Sequence, residues 1–283
     1  MKVLVLGSGV IGVTNAWYLS RAGHEVTVVD RQPEPGMETS HANGGQISWG
    51  ASTPWAAPGI PLKALKWMFR PHSPLVLRPR LDPALWTWLF KMLRNCTSAR
   101  YAINRERMLR LSRYSHDCLV ALRGETGIHY DERTGGVLEL FRTEQELDEA
   151  ADQAAMLKNW GVPSQLLDPS ACVAHEPALR AARDKIVGGL LLPGDESGDC
   201  LRFTRELARR AETHDVRFAL STRIDRLTAD DKRIACVITD KGEMTADAYV
   251  LACGSYSPLL LRPLGIRLPV YPVKGYSATI DID

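Results

Sequence analysis

The 283-residue chain is long enough for one large domain or two interleaved domains with a substantial core. Its 35 basic and 33 acidic side chains leave a net charge of +2, which does not indicate nucleic acid as a partner. The six cysteines are scattered without a CxxC pair, so we expect reduced thiols and no metal site. Composition predicts neither a signal peptide nor a segment of the roughly 20 apolar residues that span a bilayer.

The N-terminal segment predicts a strand, a glycine-rich turn, a helix and a second strand. Val3–Leu6 is a continuous apolar run, as in strands that are buried on both faces of a parallel sheet. Apolar residues at helical spacing follow in Val10–Arg21, and Gly23 is placed to end that helix. The second strand, Val26–Val29, ends at Asp30. This order predicts a βαβ unit of the Rossmann type.

The turn between the first strand and the helix has the spacing GxGxxG, which predicts a dinucleotide site. Gly7 permits a tight turn, Gly9 lets a pyrophosphate approach the backbone, and Gly12 allows close packing of helix on strand. Asp30 is placed to accept hydrogen bonds from the adenosine ribose, and an acid there disfavours a 2′-phosphate despite the neighbouring Arg31. The predicted cofactor residues here are Val3, Leu4, Val5, Leu6, Gly7, Ser8, Gly9, Val10, Ile11, Gly12, Asp30 and Arg31.

The centre of the chain predicts a mixture of helices and strands without repeats or low-complexity tracts. Predicted helices are Pro83–Asn95, Ala102–Gly124, Glu144–Trp160 and Leu201–Thr213, and predicted strands are Gly136–Phe141, Val187–Leu192 and Val216–Ala219.

Towards the C-terminus, the sequence predicts three strands that form a hairpin-like meander. They are Ser221–Leu227, Arg233–Thr239 and Glu243–Thr245, and a further strand ends in Ala252-Cys253-Gly254. A meander followed by a strand ending Ala-x-Gly is typical of two-part FAD domains, as is a fingerprint that begins at residue 3. Together these features favour FAD over NAD, which the glycine motif alone does not separate.

Further segments carry a more specific resemblance along nearly the whole chain. They are Thr39–Ser48, Ala57–Gly59, Pro61–Phe69, Met92–Thr97, Tyr114–Leu119, Glu125–Ile128, Gly188–Gly189, Asp195–Cys200 and Tyr271–Ser277. The chain resembles the D-amino-acid-oxidase-like flavoproteins, and more narrowly the small subunits of bacterial D-amino acid dehydrogenases. The resemblance implies oxidative deamination of D-amino acids, often D-alanine, to 2-oxo acids and ammonia. It also implies FAD as cofactor and a quinone or other respiratory-chain acceptor for the electrons.

The resemblance implies an α/β fold with two interleaved domains. A Rossmann-like FAD-binding domain is expected at residues 1–48 and 190–256, and an α+β substrate domain at residues 49–189 and 257–283. Members of the family usually continue well past the Tyr271–Ser277 segment, so the C-terminal part of the substrate domain, which also covers the flavin, is expected to be missing.

Candidate site residues outside the glycine motif follow from the same resemblance. A flavin-side loop is predicted at Ser40, Asn43, Gly44 and Gly45, because small residues and backbone amides can approach the cofactor closely. The alternative is an ordinary polar turn. Three more cofactor candidates are Ile224, which is expected beside the adenine or else in the core, and Ala252 and Gly254 beneath the cofactor. Substrate candidates are Tyr271, Lys274 and Tyr276, with an ordinary strand bearing a surface lysine as the alternative. No catalytic residue is nominated.

Two segments combine aromatic residues with cations. Pro61–Arg70 and Ala84–Leu93 are interpreted as helices packed into the substrate domain or, alternatively, as a patch that docks on a membrane. The expected location is the cytoplasm, with the second alternative placing the protein peripherally on the inner face of the bacterial plasma membrane.

The function expected from all these features is FAD-dependent D-amino acid dehydrogenation. The alternatives are flavin-dependent oxidation of glycine- or sarcosine-type amines, and an inactive FAD-binding remnant.

Overall fold

The computed structural model describes residues 1–68, 81–230 and 233–276. In chain order its strands are β1 (Lys2–Leu6), β2 (Glu25–Val29), β3 (Gln46–Ile47), β4 (Val137–Phe141), β5 (Gln165–Leu167), β6 (Gly188–Leu192), β7 (Glu196–Ser197), β8 (Arg217–Ala219), β9 (Ile224–Asp230), β10 (Arg233–Thr239), β11 (Gly242–Met244) and β12 (Ala248–Leu251). Its helices are α1 (Val10–Arg21), α2 (Ile60–Met68), α3 (Pro83–Asn95), α4 (Ser98–Thr126), α5 (Glu144–Asn159), α6 (Pro169–His175), α7 (Cys200–Glu212) and α8 (Ser257–Leu261).

A four-stranded parallel sheet in the order β12-β1-β2-β8 organises the first half of the fold. Strand β1 lies inside this sheet, where Val3 pairs with Val26 on one side and with Ala248 on the other. Four consecutive side chains of β1 are buried, because helices or strands cover both faces of the sheet. The predicted α/β class with a Rossmann-like parallel sheet is confirmed.

Different layers cover the two faces of this sheet. On one face, α1 and α7 pack Val13, Trp17 and Leu207 against Val5 and Val28. On the other face, the antiparallel meander β9-β10-β11 contributes Leu227 and Val237, which pack against side chains that point the opposite way from β1 and β2. The glycine-rich turn therefore lies at the edge of a three-layer unit, where the cores on both sides hold it in place.

A second, antiparallel sheet in the order β4-β6-β5 forms a separate core. Its central strand β6 buries all five residues, and Leu190 and Leu192 pack with Leu157 of α5. The long helix α4 begins at the cap residue Thr97, whose hydroxyl accepts from the Arg100 N–H, and ends at Gly127 in a left-handed conformation (φ 60°). Leu122 of this helix packs with the core of the parallel sheet, and Leu109 packs with the core beside the antiparallel sheet.

Two predicted domain boundaries differ from the structure. The boundary at residue 190 divides β6, yet every residue of Gly188–Leu192 pairs with β4, so the change of sheet follows Leu192. Residues 257–283 are expected in the substrate domain, but Leu260 and Leu264 pack with the meander beside the parallel sheet. Both differences arise because an apolar run does not reveal which sheet it joins. Residues 277–283 lie outside the described residues.

The structure also contains elements without a local sequence signal. Strands β3 and β7 are two residues each and pair with one another, while β5 and α6 frame the antiparallel sheet. Within the described part of the chain, none of the helices combines the length and the apolar character that crossing a bilayer requires.

Candidate functional site

Three elements meet so closely at the glycine-rich turn that side chains are excluded. Gly7 has φ +108°, and a Cβ on it would lie 2.6 Å from the Ala252 carbonyl oxygen. A Cβ on Gly12 would lie 1.9 Å from the Gly7 carbonyl oxygen. The Gly7 N–H donates to the Val29 carbonyl at 2.9 Å, which fixes the turn to β2. The first and third glycines of the motif are therefore required by packing of β1, α1 and the end of β12.

The middle glycine faces open space. A Cβ on Gly9 would contact only the Ser40 hydroxyl, at 3.4 Å. Gly9 caps α1 without a side chain, and the first turn of the helix carries no acidic residue. The first amides of a helix have no carbonyl partners within it, and among the described residues only the Val10 N–H of these is capped, by Ser40 Oγ at 3.0 Å. This helix end combines free donors, positive dipole and room, which fits a pyrophosphate.

Asp30 lies at the end of β2, beside the turn. Its Oδ2 accepts from the N–H and the hydroxyl of Ser8, at 2.6 and 2.8 Å, and its Oδ1 accepts from the Gln32 N–H at 2.9 Å. A carboxylate has about four acceptor positions, so one remains for a ribose hydroxyl. The acid thus holds the turn, and its role toward an adenosine ribose stays a prediction.

Arg31, a predicted cofactor residue, is paired with Glu38 and stacks on Tyr256. Its guanidinium donates to Glu38, with Nε 3.0 Å from Oε1, and lies 4.3 Å from the centre of the Tyr256 ring. Burial opposes ionisation of Glu38, but hydrogen bonds from Gln32 and Arg31 outweigh it and lower the Glu38 pKa. The hydrogen bond to Glu38 also raises the pKa of Arg31. Glu38 pairs with this cation, so a 2′-phosphate would have to compete with a carboxylate for it. The cofactor roles of Asp30 and Arg31 stay predictions.

The predicted flavin-side loop is shaped by Asn43 and by contact with β7. The Asn43 side chain accepts from the Gly45 N–H at 2.8 Å. Gly45 has φ +60°, and a Cβ on it would lie 2.5 Å from the Gly198 carbonyl oxygen. The Gly198 N–H in turn donates to the Gly45 carbonyl at 2.8 Å. A Cβ on Gly44 would meet nothing within 4 Å, so the backbone is open to a ligand on this side.

A cavity of about 300 Å³ lies between the start of α1, this loop and α4. Its lining is mostly apolar and comprises Val10, Ile11, Thr14, Tyr18, Asn43, Gly45, Gln46, Ile47, Ser115, Cys118, Leu119, Leu122, Tyr130, Gly198, Cys200 and Phe203. The pyrophosphate end and the flavin-side loop therefore border one continuous space, as a dinucleotide that binds across both requires.

The downstream candidates separate into two groups. Ala252 closes the glycine turn, and its N–H donates to the Leu6 carbonyl at 2.8 Å. Burial raises the pKa of the neighbouring Cys253 thiol to about 11, and this thiol donates to the same carbonyl at 3.2 Å. Gly254 follows with φ +52°. The half-buried side chain of Ile224 packs with the core beneath the meander. This packing does not test the predicted contact of its backbone with adenine, which stays a prediction.

The three predicted substrate residues are not brought to the cavity. Tyr271 donates its hydroxyl to Asp82 Oδ2 at 3.0 Å, at the start of α3, and this hydrogen bond lowers the pKa of Asp82. Lys274 Nζ lies 5.0 Å from the centre of the Tyr276 ring, and Tyr276 is 88% exposed. None of the three contributes to the cavity lining. Their role in substrate binding remains a prediction.

A buried ionic cluster that the sequence reasoning missed joins α4 to β7. Arg123 donates from Nη1 to Glu196 Oε2 at 2.7 Å and from Nη2 to Oε1 at 3.2 Å, and it also donates to the Tyr130 hydroxyl at 3.0 Å. His116 Nε2 lies 3.3 Å from Glu196 Oε1. These bonds, with Arg123 contributing most, lower the pKa of Glu196 although its residue is only 6% exposed. No spacing in the sequence indicates that these residues meet.

The adjacent Asp195 is buried in a different environment. Its Oδ1 accepts from the Gly50 N–H at 3.0 Å, and its Oδ2 has no hydrogen-bond partner among the described residues. Burial raises the pKa of this carboxyl, in contrast to that of Glu196. The pKa values of these two neighbouring acids are therefore shifted in opposite directions, because Asp195 is desolvated and Glu196 is paired with Arg123.

Comparison with known proteins agrees with this geometry. The sequence profile of the family described as FAD dependent oxidoreductase (DAO) matches residues 2–283. Two curated relatives are D-amino acid dehydrogenases, from Sinorhizobium medicae at 60% identity and from Bradyrhizobium diazoefficiens at 58%, each over 100% of this chain. The chain spans 68% and 67% of their respective lengths.

Solved structures share the fold at low sequence identity. Glycine oxidase from Geobacillus kaustophilus matches 94% of this chain and 58% of its own with a TM-score of 0.64 and 22% identity. L-Amino acid deaminase from Proteus myxofaciens matches 94% of this chain and 48% of its own with a TM-score of 0.65 and 19% identity. The chain thus spans about half the length of these solved proteins. With its profile matched over nearly every residue and its glycine turn shaped for a dinucleotide, the chain belongs to the FAD-dependent oxidoreductase (DAO) family, and FAD is its cofactor.

Proposed function

We propose that the protein oxidises D-amino acids, with D-alanine as the preferred test substrate, to the 2-oxo acid and ammonia. The observation that carries this proposal is the identity of 58–60% with curated D-amino acid dehydrogenases over 100% of the chain. The glycine turn and its open helix end support it, because they are built to hold the dinucleotide that such a reaction uses.

In this proposal the residues of the chain position the cofactor and exclude water. Gly9 and the first-turn amides of α1 hold the pyrophosphate, and Asp30 accepts from the adenosine ribose. The loop that includes Ser40, Asn43, Gly44 and Gly45 lies against the flavin. When bound, FAD accepts the hydrogen and the two electrons that leave the substrate Cα. Tyr271, Lys274 and Tyr276 remain our candidates for the substrate side.

Turnover of three amines by the full-length holoenzyme tests the proposed function. We expect D-alanine to bleach the flavin absorbance anaerobically and to reduce an artificial dye acceptor, at rates well above those with L-alanine. Sarcosine is the third substrate, because it represents the secondary-amine alternative. A preference for L-alanine or sarcosine, or a flavin that none of the three reduces, would contradict the proposal.

We further propose a respiratory quinone as acceptor, reached at the membrane surface through α2 and α3. Trp86, Phe90 and Leu93 share one face of α3 by their spacing and are 51–61% exposed. On α2, Leu62 and Leu65 are also exposed. Cations accompany both helices, namely Lys63, Lys66, Lys91 and Arg94. Exposed apolar side chains beside cations are typical of surfaces that lie on anionic lipid. The side chain of Trp67 is not described, and Phe69 and Arg70 lie outside the described residues.

Replacing Phe90 and Leu93 by serine tests this surface. We expect the double variant to lose about tenfold in binding to vesicles that contain anionic phospholipid, because two exposed apolar side chains no longer enter the interface. The measurement is sedimentation with liposomes at fixed ionic strength. The matched control is Leu140→Ser with Leu166→Ser, two exposed leucines on the antiparallel sheet. Equal sedimentation of both variants would refute the membrane surface.

A further inference from the structure

The ionic cluster of Arg123, His116 and Glu196 is attached to β7, the strand that lies against the flavin-side loop. Glu196 pairs with Ile47 and Ser197 pairs with Gln46, so β7 lies directly along the strand that follows the flavin-side loop. The next residue, Gly198, exchanges close backbone contacts with Gly45. A displacement of β7 therefore moves Gly45–Ile47 with it.

The opposite edge of β7 is also held. Arg133 and Ser197 exchange two backbone hydrogen bonds, at 2.8 and 3.0 Å. The strand itself contains only two residues, and pairing of this length provides little resistance to sliding. An anchor on the Glu196 side chain therefore adds to these backbone contacts in setting the register of the flavin-side loop.

Glu196 is anchored by a largely buried, bidentate ion pair with Arg123 of α4. The Glu196 side chain is 8% exposed and the Arg123 side chain 20% exposed, and two guanidinium nitrogens meet the two carboxylate oxygens. His116 approaches the same carboxylate from the same helix, two turns earlier. A forked pair of this kind restricts direction as well as distance, which a lysine in place of Arg123 would not do.

The same helix lines the cavity that the loop borders. Leu119 and Leu122 of α4 face it, as do Gly45 and Ile47. The cluster thus connects the wall of the cavity to the loop without itself contributing Arg123 or Glu196 to the lining. Tyr130, which accepts from Arg123, does line the cavity, so Glu196 acts on a ligand there only through its neighbours.

We propose that Glu196, which is paired with Arg123 and contacts His116, is a positioning residue that sets the register of the flavin-side loop against the cofactor. This inference rests on the placement of that loop in the proposed function, but not on the identity of the substrate. The cluster makes the orientation of the flavin dependent on α4, which packs with the core of the parallel sheet through Leu119 and Leu122.

Glu196→Gln in the full-length chain tests the proposal, with FAD as the probe. Glutamine keeps the side-chain volume of glutamate and one acceptor oxygen, but it removes the negative charge that pairs with Arg123. We expect the Kd for FAD, measured by flavin fluorescence, to rise about tenfold, as for one displaced backbone contact. At saturating FAD we expect the visible circular dichroism of the bound flavin to change. A purely structural role would lower the melting temperature and leave that spectrum as in the wild type.

Glu125→Gln is the matched control. Glu125 also lies on α4 and pairs with Arg21 of α1 at 2.7 Å, but this pair is remote from the loop and 47% exposed on both sides. We expect its Kd and its flavin spectrum to match the wild type. If Glu196→Gln does not fold, Arg123→Lys provides the same test, because it keeps the charge and loses the fork.

Two outcomes would overturn the positioning role. One is a wild-type Kd and flavin spectrum in Glu196→Gln or Arg123→Lys, whatever the melting temperature. The other is an equal change in Glu125→Gln. A wild-type enzyme that does not oxidise D-alanine would refute the proposed substrate and leave this inference standing, since its readouts need only bound flavin.

Discussion

Gly12→Ala is expected to abolish flavin retention and to destabilise the protein by about 3 kcal/mol or more. The new Cβ would lie 1.9 Å from the Gly7 carbonyl oxygen and 2.9 Å from its carbon. Both are backbone atoms, and Gly7 is itself pressed against Ala252, so neither side can yield cheaply. The clash can then be relieved only if α1 moves away from β1, and this movement displaces the first-turn amides from the pyrophosphate. The measurements are urea unfolding and flavin content after gel filtration.

Gly124→Ala is the control for this substitution. Gly124 lies within α4, and a Cβ on it would meet nothing within 4 Å. Alanine in an exposed helix is favoured over glycine by about 1 kcal/mol, so we expect slightly greater stability and normal flavin content. Normal flavin content in Gly12→Ala would show that the close approach of α1 to β1 is not what binds the cofactor.

Asp30→Ala is expected to weaken FAD binding by about 1.5–3 kcal/mol, which is roughly 10- to 150-fold in Kd. The carboxylate offers its remaining acceptor position to the ribose, and alanine removes it. Alanine also leaves the Ser8 N–H without its partner at a residue that is 1% exposed, which costs the fold a further 1–3 kcal/mol or so. Flavin fluorescence titration and denaturant unfolding measure the two effects separately.

Asp30→Asn distinguishes the cofactor role from the structural role. Asparagine keeps an oxygen for the Ser8 N–H and removes the negative charge, so we expect most of the stability to return. FAD binding should remain weakened, since hydrogen bonds to an ionised acceptor are about twice as strong as neutral ones. If Asp30→Asn binds FAD as the wild type does, the acid serves the turn alone.

The parts of the fold that could be predicted depend on local patterns. The strand ending at Leu6, the helix Val10–Arg21 and the strand Arg233–Thr239 each have a local pattern of apolar residues, and the structure contains them within a residue or so. The glycine turn is equally local, because the strain at Gly7 and the contact at Gly12 arise within a few residues. For the same reason the dinucleotide end of the site could be predicted from one short segment.

The flavin-side end could not be predicted in this way, because it is assembled from distant segments. Strands β3 and β7 have two residues each, too few for any periodicity, and the partners Arg123 and Glu196 are 73 residues apart. The antiparallel strand β6 was divided between domains for a related reason. Its run of buried residues is compatible with either sheet, and only pairing with β4 and β5 decides between them.

The pairing of β1 with β12 has a consequence for biosynthesis. Lys2 and Asp247 contact one another across 245 positions, and Val3 pairs with Ala248. During translation, β1 therefore emerges long before the strand that completes its outer edge. At synthesis rates of about 5–20 residues per second, that edge stays unpaired for roughly 10–50 s. An apolar strand with free backbone donors and acceptors is a template for unwanted pairing over this interval. Nascent chains stalled before residue 248 should consequently be the species most dependent on ribosome-associated chaperones.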